Sequence, residues 1–132
     1  MLRRPVHCTA LGKAMLAFGN PALTEHLLEG KLSRLTRKTI VHPDRFRAEL
    51  ERTRARGYAI DDEEFYAGTR CVAAPVFDET AQVIAGVSVS GLITHVTEDQ
   101  VAHFGGLVME SAGTISAHLG YRVFDKLARG SR

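Results

Sequence analysis

The stretch Arg70-Cys71-Val72-Ala73-Ala74-Pro75-Val76-Phe77, then Asp78-Glu79-Thr80-Ala81, then Gln82-Val83-Ile84-Ala85-Gly86-Val87-Ser88-Val89-Ser90 decides the fold. Two runs rich in β-branched residues flank a short polar segment, which is the pattern of strand, turn and strand. The turn is too short for the crossover that parallel strands require, so the pair is an antiparallel hairpin. A third, shorter strand is expected at Tyr58 to Asp61.

Helical segments lie on either side of these strands. Thr9 is placed to cap a helix from Ala10 to Phe18 that ends at Gly19, and Pro21 opens a second that runs to about Leu28 before Gly30. Pro43 at a first helical position, then Phe46, Leu50 and Thr53, then Gly57, describe an amphipathic helix with both ends marked. Thr97 with Gln100 reads as a capping box, after which Val101, Phe104, Val108, Ala112, Ile115 and Leu119 keep one helical face apolar. Between Lys31 and His42 no helical period is present, and Thr36 and Thr39 fall in this connection. The fold class is α+β: an antiparallel sheet with helices packed against one of its faces.

A chain of 132 residues with 45% hydrophobic and 24% charged residues suits one domain and excludes disordered, collagen-like and disulfide-scaffold classes. The formal charge of +2 is too balanced to attract nucleic acid by field alone. The clustered basic residues, Arg3, Arg4, Lys126, Arg129 and Arg132, read as solvated tails. His7 and Lys13 interrupt any signal region, and polar residues break the uncharged stretch near Thr94 before it could span a membrane. A cytoplasmic chain with Cys8 and Cys71 as reduced thiols is the expectation.

Three places could carry chemistry. If Thr9 caps the first helix, the backbone N–H groups of Ala10, Leu11 and Gly12 stand free at its start, where an anion such as a carboxylate can bind; the plain alternative is water or the Thr9 cap alone. Strand alternation puts Ile84, Gly86, Ser88 and Ser90 on one face and Val83, Ala85, Val87 and Val89 on the other, leaving two hydroxyls beside the space above Gly86. In the preceding strand Cys71 shares a face with Ala73 and Pro75 and can stand across from those serines, either as a small core residue or as a reactive thiol. The run Asp61-Asp62-Glu63-Glu64 reads as a solvated loop, although alternation would let Asp61 and Glu63 point together into a cavity. Lys13 either adds an anion contact or points to water.

The six histidines are scattered without metal-ligand spacing, and GxGxxG, P-loop, GxSxG and HExxH motifs are absent, so no metal or cofactor is expected. No catalytic residue is assigned.

The phrases His7 to Ala14, Arg56 to Glu64, Gly68 to Val76 and Ala85 to Gly91 together resemble the effector-binding domain of IclR-type bacterial transcriptional regulators, in order and spacing from about residue 5 to residue 121. The resemblance implies a GAF-like α+β domain that senses a small organic acid, forms homodimers or homotetramers, and acts on DNA only through an upstream winged helix-turn-helix domain. Carried over by motif, the effector contacts fall on Ala10, Leu11, Asp61, Cys71, Ser88 and Ser90. The matching region starts almost at Met1, so the winged helix-turn-helix, and the helix and strands that begin the family's effector domain, are expected to lie outside these 132 residues. Three readings stand at this point: a sensor of small acids, an oligomerisation domain with a vestigial pocket, and an enzyme using Cys71 as nucleophile with His7 as base.

Overall fold

The computed structural model describes residues 5–122, so the basic tails expected at both ends lie outside the described residues. In chain order the elements are α1 (Ala10–Phe18), α2 (Pro21–Glu29), α3 (Pro43–Arg56), β1 (Ala59–Asp62), β2 (Thr69–Phe77), β3 (Val83–Leu92) and, after a 3₁₀ turn at Glu98–Gln100, α4 (Val101–His118). The sheet order is β1-β2-β3, antiparallel throughout. The hairpin turn is organised by Asp78, whose Oδ1 accepts hydrogen bonds from the N–H groups of Thr80 (2.9 Å) and Gln82 (3.1 Å).

Helices cover both faces of the sheet, not one. Val72, Ala74 and Val76 of β2 pack with Val108 and Ala112 of α4, while Ala73 and Ala59 pack with Ala10 and Ala14 of α1. Five consecutive residues of β2, Val72 to Val76, are therefore buried, as expected of a strand covered on each side. A third cluster joins α1 to α3 and the connection between them through Ala17, Leu32, Phe46 and Leu50.

Three local expectations are corrected. The Thr97–Gln100 capping box does not form: neither side chain makes a cap hydrogen bond, and the 3₁₀ turn closes instead through Gln100 N–H to the Thr97 carbonyl at 3.0 Å. The buried row of α4 runs Gly105, Val108, Ala112, Ser116, leaving Ile115 and Leu119 43% and 42% exposed. After Ala112 a period of 3.6 allows either a three- or a four-residue step, and the four-residue step wins because Ser116 donates to the Ala112 carbonyl (2.7 Å) and accepts from Phe77 N–H (2.9 Å). At the start of β3 the register slips between Val76↔Ala85 and Phe77↔Val83, so Ile84 is an extra residue. That irregularity interrupts the alternation, and Val83 lies beside Gly19 at the end of α1 instead of with Val87 and Val89 on the α4 side.

Candidate functional site

The start of α1 is shaped by the segment leading into it. Thr9 Oγ1 accepts from Gly12 N–H at 3.2 Å and donates to the Pro5 carbonyl at 3.1 Å, so the cap is used on both sides. Val6 crosses Gly12 so closely that a Cβ there would overlap the Val6 carbonyl oxygen; only glycine admits this crossing. With Gly12 N–H taken by Thr9, and Lys13 N–H bonded to the Thr9 carbonyl, the donors left at the helix start are those of Ala10 and Leu11.

Beneath that helix end the register lines up side chains in rows across the sheet. Asp61 pairs with Cys71 and Cys71 with Ser90, while Ala59 pairs with Ala73 and Ala73 with Ser88. Neighbouring strands lie about 5 Å apart, so the first row is a polar ladder of carboxylate, thiol and hydroxyl roughly 10 Å long. One row further, Pro75 pairs with Gly86, and the Leu11 side chain rests in the space that Gly86 leaves open. A cavity of about 610 Å³ occupies this region, and Ala10, Leu11, Asp61, Cys71, Ser88 and Ser90 all line it. Both serines are exposed on this chain, so the floor near β3 is open.

Sequence reasoning missed much of the remaining wall. Thr69 and Leu92 form the next row outward from Cys71 and Ser90, and strand alternation applied two residues further would have found both. Phe65 and Tyr66, a tilted aromatic pair with centroids 5.9 Å apart, close the outer end from the loop between β1 and β2. No periodicity signals them because the loop has none.

The acidic run is not a uniformly solvated loop. Asp61 and Glu64 are only 2% and 5% exposed. Asp61 Oδ1 accepts from the N–H groups of Glu64 (2.8 Å) and Phe65 (3.4 Å), so this carboxylate orders the loop as well as lining the cavity. Burial pushes the Asp61 carboxyl above the usual carboxylate range, and those two hydrogen bonds and the Lys13 charge offset this only in part. Glu63 does not point with Asp61: the chain leaves the strand there with φ 57°, and its side chain meets Gly68 N–H (3.0 Å) and Lys38 Nζ (3.0 Å). Lys13 neither reaches the cavity nor points to water. It is fully buried, with Nζ donating to both oxygens of Glu64 at 2.8 and 2.9 Å and lying 3.8 Å from Glu49 Oε1.

His7, the base required for a Cys71 nucleophile, is buried outside the cavity lining, with Nε2 2.8 Å from the Ser33 carbonyl oxygen. Burial, with the nearby Asp61 and Glu64 charges, pushes the Cys8 thiol up to about 11, a neutral and unreactive form at physiological pH. Among the described residues no disulfide forms, and no group of three His, Cys, Asp or Glu side chains is arranged to hold a metal ion. No described helix is long and apolar enough to cross a membrane.

Comparison with known proteins gives the family and the fold. The family model described as bacterial transcriptional regulator IclR C-terminal matches residues 2–117. The transcriptional repressor IclR of Escherichia coli strain K12 is 39% identical over 117 residues, 88% of this chain and 43% of that protein. Among solved structures, the C-terminal domain of the E. coli transcriptional regulator KdgR superposes with a TM-score of 0.82 at 35% identity, covering 91% of this chain and 74% of that one. The Thermotoga maritima IclR structure gives 0.83 at 37% identity, covering 92% and 51%. The chain spans less than half the length of curated relatives that it matches. With its antiparallel sheet, its flanking helices and this match over most of its length, the chain belongs to the IclR C-terminal family of bacterial transcriptional regulators and has that family's GAF-like α+β fold.

Proposed function

We propose that the cavity binds a small organic acid and that its occupancy is read by a DNA-binding winged helix-turn-helix elsewhere in a longer, cytoplasmic regulator. The observation that carries this is the convergence of α1, β1, β2 and β3 on one cavity, with the free N–H groups of Ala10 and Leu11 above a polar row of Asp61, Cys71 and Ser90. Helix-start donors favour a carboxylate, and hydroxyls at Ser88 and Ser90 suit its remaining oxygens or a keto or hydroxy group beside it. Binding is the only chemistry required. The effect on DNA then follows from differential affinity of the acid for two states of a homodimer or homotetramer. The place of His7, bonded to Ser33 and outside the cavity, speaks against Cys71 as an enzymatic nucleophile.

The test is a thermal-shift and calorimetric titration with pyruvate, lactate and benzoate, representing keto, hydroxy and aromatic acids. An acid at ~100 times its Kd stabilises the fold by ~2.7 kcal/mol. Ser88→Ala with Ser90→Ala removes two hydrogen bonds of about 1 kcal/mol each and should weaken binding roughly 10- to 100-fold while the protein still melts cooperatively. Unchanged affinity in the folded double variant would overturn the assignment of the serines. No response to any acid would favour the oligomerisation domain with a vestigial pocket.

A further inference from the structure

The acidic loop between β1 and β2 forms the outer wall of the cavity, yet it is an unlikely shape for a chain to hold unaided. Glu63 takes a left-handed backbone with φ 57°, which a side chain disfavours. Two sets of contacts impose it. From the connection before α3, Thr36 Oγ1 donates to the Glu63 carbonyl and Thr39 Oγ1 to the Glu64 carbonyl, each at 2.6 Å. From α1, the fully buried Lys13 grips both carboxylate oxygens of Glu64, whose Oε2 also accepts from Asp62 N–H at 2.9 Å. Lys13 stands one turn beyond Ala10, so a single helix supplies both the donors at the cavity and the cation that holds its opposite wall. Glu49 of α3, itself bonded to Arg52 and Arg56 at 2.8 Å each, lies 3.8 Å from the same ammonium and ties that helix to it.

We infer that Lys13 is a positioning residue for the cavity: acting through Glu64, it fixes the Asp61–Tyr66 loop relative to the start of α1, and so presets the distance between the anion donors and the Asp61, Phe65 and Tyr66 wall. The inference rests on the acid-binding reading, and adds to it a residue that touches no ligand. A pair kept only for stability would be expendable, since replacing both buried charges by apolar side chains is often neutral or stabilising, whereas removing one strands the other. A pair kept for position would leave the loop loose even where stability survives.

The experiment is amide hydrogen exchange on Lys13→Met/Glu64→Met beside the wild-type protein. The expected result is cooperative melting near the wild-type Tm, with the amides of residue 64 and Phe65, whose acceptor Asp61 is untouched, exchanging ~10-fold faster or more and those of β2 and α4 unchanged. Wild-type exchange in the loop, or equal loosening everywhere, overturns the proposal. Should the double variant fail to fold, Lys13→Met/Glu64→Gln, which removes both charges and keeps an acceptor for Asp62 N–H, is read at the same amides against the same criteria. Titration of these variants with pyruvate, lactate and benzoate separates the two claims. A loosened loop with undiminished affinity removes the loop's role at the cavity and leaves acid binding standing. No binding by the wild-type protein, with the loop loosened as expected, sinks the acid-binding reading while the exchange result still shows that Lys13 holds the loop.

Discussion

The two faces of one short sheet do opposite work with alternate residues of the same strands. Toward α4, β2 presents Val72, Ala74 and Val76, which pack with Val108 and Ala112 and leave a smaller cavity, about 260 Å³, beside Ala74 and Ala112. Toward α1 it presents Cys71 and Ala73, and β3 presents Ser88 and Ser90, side chains too small to fill the gap beneath the helix. The difference lies in volume more than in polarity: branched side chains fill most of one face, small ones hold the other open at the point where helix donors are free. Stability should therefore concentrate on the α4 side and binding on the α1 side.

The sharpest way to break that division is Val108→Ala. It deletes two buried methyl groups, and lost transfer energy with the cavity left behind should cost about 2 kcal/mol in urea denaturation. Acid affinity should stay within about twofold of wild type, since no atom of Val108 lines the cavity. A tenfold loss of affinity would show that the faces are coupled through β2 and that the division is false.

Gly86→Ala sharpens the comparison from the other side. A methyl there would overlap Leu11 Cδ1 and come within 3.2 Å of the Ala74 carbonyl oxygen, so the flexible leucine must swing into the cavity. We expect a stability change below about 1 kcal/mol, because β3 is an edge among the described strands and the displaced atom ends a flexible side chain. Acid affinity should fall roughly tenfold, about 1.4 kcal/mol. A large drop in Tm with unaltered affinity would place Leu11 in the core instead of the site.

These contrasts were partly legible in the amino-acid order. The hairpin, the helix bounds at Thr9, Gly19, Pro43 and Gly57, and the shared face of Cys71, Ser88 and Ser90 follow from local rules of turn, cap and alternation, which the surrounding structure did not override. The second covered face has a signal of its own, the unbroken apolar run Val72 to Val76, which cover on one side alone would interrupt with polar residues, and the one-face expectation passes over it. Glu64 reads as part of a solvated run because the groups that bury it are remote: Lys13 lies 51 residues before it, and Thr39, which bonds its carbonyl, 25 residues before it. Of the six candidate cavity residues, Ala10 and Leu11 follow from the cap at Thr9 and Asp61, Cys71, Ser88 and Ser90 from strand alternation, with the family resemblance joining them. Phe65 and Tyr66, on a loop without period, had neither signal.

The smallest expected effect comes from two adjacent carboxylates that the sheet sends to opposite faces. Asp61, toward α1, is raised by burial, with its N–H bonds and Lys13 offsetting this in part and the Asp62 charge adding to it. Burial also raises Asp62, but Arg70, at 2.8 and 3.0 Å, and Lys38, at 3.3 Å, outweigh it and hold this carboxyl below its usual range. The signs then differ. A raised group binds more protons folded than unfolded, so its contribution falls as pH rises from the unfolded value of 3.8 through the raised folded value. A lowered group contributes stability that is present above 3.8 and is lost as pH falls through its depressed folded value. Asp62→Asn should therefore be less stable than wild type near about pH 7, with the deficit shrinking toward about pH 3. Asp61→Asn keeps an oxygen for the Glu64 N–H and removes a buried charge, so its stability relative to wild type should rise with pH over the same interval. Urea midpoints for both variants at the two pH values check this, and parallel slopes would mean that adjacent residues of β1 do not feel the two faces as different environments.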